Sequence, residues 1–115
     1  MTLPHGTAMS RETSRQIVAL LSEILPADKF MVRDSPAMGF DGVMVLHHET
    51  GGDFYFDTTF GGDDGFTDYV RFYYTFSDGE CLDDQAVHDN PLLSDSPLKI
   101  AKWIVLCVGD GQPPQ

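Results

Sequence analysis

FYFDTTFGGDDGFTDYVRFYYTF, residues 54–76, decides how the chain is read. It holds six of the eight phenylalanines, all four tyrosines and a single positive charge, Arg71. Aromatic and β-branched residues flank a Gly61-Gly62-Asp63-Asp64-Gly65 hinge, the composition of two strands joined by a turn. If Phe60 meets Phe66 across the hinge, Phe54, Phe56 and Phe60 share a face with Phe66, Val70, Phe72, Tyr74 and Phe76. The rule is geometric, because alternate side chains of a strand point to opposite sides. Tyr55, Asp57 and Thr59 then fall on the other face with Tyr69, Arg71, Tyr73 and Thr75. In that register Arg71 lies opposite Tyr55 and diagonal to Asp57.

Working outward, Asp41–His48 is a β-rich run that leads into Glu49-Thr50-Gly51-Gly52-Asp53. A glycine pair between two strand-like runs predicts a hairpin, since glycine takes positive φ without a Cβ clash. With Gly51-Gly52 as the turn, Glu49 faces Phe54, His47 faces Phe56 and Val43 faces Phe60. Met44, Leu46 and His48 then join the tyrosine side. A further turn at Asp78-Gly79 returns the chain into a short strand, Glu80–Leu82, and Lys29–Arg33 reads as a strand ahead of the set. The turns agree on one division into faces, and a slip of one residue would reverse it.

Helices flank this sheet. Ser10 is placed to cap one, with Glu12 in its first turn, and Ile17, Leu20, Leu21, Ile24 and Leu25 recur on one helical face until Pro26. At the other end Ser96-Pro97 opens an apolar segment, Leu98–Val108, that stops at Gly109. Its β-branched residues leave a strand as the alternative for Trp103–Val108. A helical turn is expected at Gln85–His88. Residues 1–9 and 110–115 are expected to be flexible tails around one domain, residues 10–109. The predicted fold class is α+β: an N-terminal amphipathic helix, a four- to five-stranded antiparallel meander, and an apolar C-terminal helix packed on the sheet.

A chain of 115 residues supports one core, and 42% hydrophobic residues with a mean hydropathy of −0.16 are ordinary for a folded domain. Its charge is less ordinary. The net charge is −11, and between Asp41 and Asp95 thirteen acidic residues face Arg71 alone. Such a field disfavours nucleic acid or an anionic membrane and favours a basic protein. Cys81 and Cys107, 26 positions apart, do not make a disulfide scaffold and read as free thiols of a reducing cytoplasm. The first nine residues lack the basic start and apolar run of a signal peptide, and Trp103–Val108 is too short to span a bilayer.

Motifs for chemistry are weak. His47, His48, Glu49 and Asp53 cluster in sequence, but neighbours on a strand face opposite ways, and the spacing matches no zinc pattern. Asp57, Asp63, Asp64 and Asp68 surround the glycine hinge without the alternating ligands of a calcium loop, so they read as a solvated acidic turn. Gly-x-Ser-x-Gly is absent, and the glycine pairs do not open helices as a phosphate loop would. No cofactor is called for. What remains is a surface: Met44, Leu46, His48, Tyr55, Asp57, Tyr69, Arg71 and Tyr73, with Asp63 and Asp64 at its rim. Tyr, Met and Arg are enriched at protein interfaces. The competing account has the C-terminal helix cover this face.

The expectation is therefore a non-enzymatic, acidic protein-binding module that blocks a basic partner, whether as an immunity protein or as an inhibitor of a nuclease or another nucleic-acid-binding factor. Carboxylates at the glycine hinge would stand where such a partner expects phosphates. Small acidic α+β secretion chaperones are similar in size, charge and element order, which makes a homodimeric chaperone or adaptor the alternative. A small metal-dependent enzyme at the His48/Asp57 edge is the third.

Overall fold

Both helices begin and end at the signals that the sequence carries. The structure, a computed structural model, describes residues 7–34, 41–59, 66–75, 81–83 and 90–109. Helix α1 spans Arg11–Ile24; the Ser10 hydroxyl accepts from the Thr13 N–H at 3.1 Å, and Leu25 closes the last turn just before Pro26. Helix α2 spans Pro97–Val108, where the Ser96 hydroxyl accepts from the Lys99 N–H at 3.2 Å. Gly109 ends it at φ +48°, a backbone region that favours glycine. Helix thus prevails over strand for Trp103–Val108. Just before α2, the Leu92 N–H holds the Asp95 carboxyl below its usual range, outweighing desolvation and helped by Lys99 at 3.2 Å.

Between the helices lie β1 (Phe30–Asp34), β2 (Val43–His47), β3 (Asp53–Thr59), β4 (Phe66–Thr75) and β5 (Cys81–Asp83). They form one antiparallel sheet in the order β1-β2-β3-β4-β5, a meander in which each strand pairs with its sequence neighbours. Residues 90–93 add a short bridge to the outer edge of β4: Tyr69 pairs with Leu92, and the Val70 N–H donates to the Pro91 carbonyl at 2.8 Å. The expected strands at Lys29–Arg33, Asp41–His48 and Glu80–Leu82 are present within one or two residues of their expected ends.

Two expected registers are corrected. Val43 pairs with Phe56 rather than Phe60, because the hairpin loop is His48–Gly51, closed by His47 opposite Gly52. Of the glycine pair, Gly51 alone takes positive φ, at 72°. Its N–H donates to the His47 carbonyl at 2.9 Å, so the chain turns over four residues where two were expected. In the β3–β4 pair, Arg71 lies opposite Asp57 and Tyr55 opposite Tyr73. Arg71 is thus displaced by two from its expected partner, and a further register shift lies between Asp57 and Thr59, where the Thr67 hydroxyl is 2.6 Å from the Tyr69 carbonyl. The displacements at Val43 and Arg71 are even, so the division into faces survives there; beyond the shift Thr59 lies opposite Phe66, a pair expected on opposite faces. The Gly61–Gly65 hinge, Phe60, Phe76, the Asp78-Gly79 turn, the Gln85–His88 segment and residues 110–115 lie outside the described residues.

The phenylalanine face is the core. Val43, Val45, Phe54, Phe56, Val70 and Phe72 are fully buried with Ile17 and Leu21 of α1 and Ile100, Ala101, Ile104 and Val108 of α2. Trp103 stands edge-on to Phe56 and Phe72, with centroids at 5.7 and 5.9 Å. Helix α1 packs on β1, β2 and α2. Both helices therefore occupy one side of the sheet, α1 over its first strands and α2 over β3 and β4. The expected N-terminal tail is corrected at its inner end. Met9 is 2% exposed in the core, and the Thr58 hydroxyl donates to the Thr7 carbonyl at 2.6 Å.

Gly42 shows how closely the opposite face is packed. A Cβ there would lie 2.7 Å from the Phe56 carbonyl oxygen and against the Tyr55 hydroxyl. The carbonyl belongs to a paired strand and has little room to yield. Gly42→Ala is expected to destabilise by about 1–3 kcal/mol, read as a lower urea midpoint at unchanged slope.

Candidate functional site

On the side away from the helices, strand alternation sets out Met31, Arg33, Met44, Leu46, Asp53, Tyr55, Asp57, Arg71 and Tyr73. The C-terminal helix does not cover this face. Tyr55 and Tyr73 are cross-strand partners with centroids 6.4 Å apart and planes at 33°, and both are half-buried. Met44 and Leu46 flank them on β2, also half-buried. Beside the tyrosines, the directly opposed Asp57 and Arg71 are only 3% and 8% exposed. The Arg71 guanidinium carbon lies 5.3 Å from the Tyr73 centroid, within reach of a cation–π contact. This surface is thus a half-exposed aromatic and methionine layer beside a buried pair of opposite charges.

The expected site residues divide accordingly. Met44, Leu46, Tyr55, Asp57, Arg71 and Tyr73 come together, with the two charged members buried rather than presented. Tyr69 is half-buried at the irregularity of β4, bridged to Leu92. His48 is displaced: it is exposed in the β2–β3 loop, at the opposite end of the hairpin from Asp57. Asp63 and Asp64 lie outside the described residues. Asp53, expected in the turn, instead opens β3, and its Oδ1 is buried with no hydrogen-bond partner among the described residues. Among the described residues no group of three or more His, Cys, Asp or Glu is placed to hold a metal ion, and no helix is long and apolar enough to cross a membrane.

A second concavity was not legible in the sequence. About 610 Å³ in volume, it lies where both helices end, lined by Ile24, Leu25, Pro26, Lys29, Phe30, His47, Glu49, Thr50, Val105 and Gly109. His47, expected at the core edge against Phe56, is 5% exposed and packs on Phe30 with centroids 4.9 Å apart. Its Nδ1 receives the Thr50 N–H at 3.2 Å and lies 2.9 Å from the Thr50 hydroxyl. The nearby Cys107 thiol, buried in α2, is pushed up to about 12 by desolvation. Native Cys107 is therefore expected to resist alkylation at pH 8 and to react once urea unfolds the chain, as followed by mass spectrometry. Its linkage has a definite sign. A thiol raised from about 9 to about 12 contributes stability below pH 9 that is lost as pH climbs toward 12, because the unfolded chain ionises first.

No family model, curated protein or solved structure matches this chain.

Proposed function

We propose that the protein is a non-enzymatic binding module whose tyrosine face docks a basic protein and thereby blocks it, in the manner of an immunity protein or a nuclease inhibitor. The observation that carries this reading is the placement of both helices on the phenylalanine face, which leaves Met44, Leu46, Tyr55 and Tyr73 partly open to solvent. Rigid aromatic bodies with polar tips supply contact area at low entropic cost. The surrounding chain carries thirteen acidic residues between positions 41 and 95 and would speed encounter with a positively charged surface. A reducing cytoplasm suits the free thiol of Cys107.

The decisive experiment is affinity capture from the native host, followed by calorimetric titration of the purified pair at several salt concentrations. A basic partner is expected, bound more weakly as salt rises. Tyr73→Ala is expected to weaken the complex roughly tenfold or more, as for an interface anchor. The double change Asp63→Lys/Asp64→Lys should slow association. Binding that ignores salt and both substitutions would end this reading.

A further inference from the structure

We infer that the groove at the helix ends is a binding site for a free, zwitterionic amino acid with a large apolar side chain. This proposal is independent of the tyrosine face. Four features of the groove, taken together, select the ligand. Ile24, Leu25, Phe30 and Val105 give it apolar walls, and its volume of about 610 Å³ is of the size that holds small molecules.

His47 is the built element. The Thr50 N–H donates to Nδ1, so Nδ1 is the acceptor and the ring proton sits on Nε2, the edge left for the groove. The Thr50 hydroxyl is tied in turn to the Gly52 N–H at 3.2 Å. A nearly buried ring held in one tautomer is a directed donor, and it asks for an acceptor. Lys29 and Glu49 line the same groove with opposite charges, both exposed, and neither forms an ion pair among the described residues. Finally, α1 and α2 both terminate here without a basic residue in the last turn, so two negative helix ends meet at the site.

A simple carboxylate would satisfy His47 and Lys29 but would face Glu49, two helix ends and a net charge of −11. A simple amine would suit those groups and leave the Nε2–H and Lys29 without an acceptor. A zwitterion satisfies both sets. Its carboxylate takes the His47 Nε2–H and Lys29, its ammonium takes Glu49 and the helix ends, and its side chain lies on the apolar walls.

The test is a titration of the full chain with L-leucine, monitored by amide NMR, beside three probes: leucinamide, 4-methylpentanoate and 3-methylbutylamine. L-leucine is expected to bind saturably, perturbing the amides of residues 24–30 and 47–52. Each probe lacking one charge should bind roughly tenfold more weakly. Glu49→Gln should weaken L-leucine but not 4-methylpentanoate, which loses a facing like charge, whereas Lys29→Met should weaken L-leucine but not 3-methylbutylamine, for the same reason. Both positions are exposed, so both variants should fold. No saturable perturbation, equal binding of all four compounds, or preference for a singly charged probe would overturn the assignment.

Discussion

Asp57→Ala is expected to cost about 3–5 kcal/mol of stability, because it strands the Arg71 guanidinium in a site only 8% exposed. Asp57 and Arg71 are direct cross-strand partners, and each charge gave up most of its water when the sheet formed. Arg71→Met should be comparably damaging, since it leaves the carboxylate buried instead. The double variant Asp57→Ala/Arg71→Met should recover much of the loss, as neither charge is left buried without the other. Urea unfolding of the four proteins closes the cycle. If the double variant is as unstable as the sum of the singles, the two charges do not act as a pair.

The second large effect belongs to the aromatic contact between sheet and helix. Phe56 is fully buried, stacked on Phe72 at 6.0 Å and met edge-on by Trp103. Phe56→Ala is expected to cost about 3–5 kcal/mol, the sum of lost transfer energy and an unfilled cavity. A domain of this size has only about 5–15 kcal/mol in total, so the variant should sit near the edge of folding. Trp103→Ala should behave alike, whereas Trp103→Phe should be much milder. The indole Nε1 is buried without a hydrogen-bond partner among the described residues, so removing it discards a desolvated donor along with some packing. Trp103 is the sole tryptophan, and its emission in Phe56→Ala should shift to longer wavelength as water reaches the cavity.

The sequence showed the helices most clearly because their signals are local. Ser10 and Ser96 cap within three residues of themselves, and Pro26 and Gly109 stop the chain by their own backbone restrictions. The two faces of the sheet were legible for a different reason. Parity survives any even displacement, so Val43 could move from Phe60 to Phe56 and Arg71 from Tyr55 to Asp57 without a side chain changing sides. The pairings themselves were not legible. Gly51-Gly52 permits a two-residue turn, but the four-residue loop also engages Thr50 with the His47 ring, a gain that glycine chemistry does not announce. In the β3–β4 pair, closing Phe60 on Phe66 sets Asp57 and Arg71 diagonally on the surface, whereas direct opposition buries both. A two-residue Gly51-Gly52 turn sets His48 on the sheet, whereas the four-residue loop holds it exposed. The groove was invisible because residues 24–30, 47–50 and 105–109 share no period and meet only when both helices dock.

The meander also has a consequence for the order in which the molecule is made. Every strand pairs with a strand already next to it in the chain, so the sheet can assemble as it leaves the ribosome. Helix α2, which covers Phe56 and Phe72, is synthesised after all five strands. Until Val108 has emerged, the nascent sheet shows a band of aromatic surface that α1, seated over β1 and β2, does not reach. A ribosome stalled before Pro97 should therefore hold a chain that recruits holdase chaperones, and one stalled well beyond Gly109 should hold a chain that has released them.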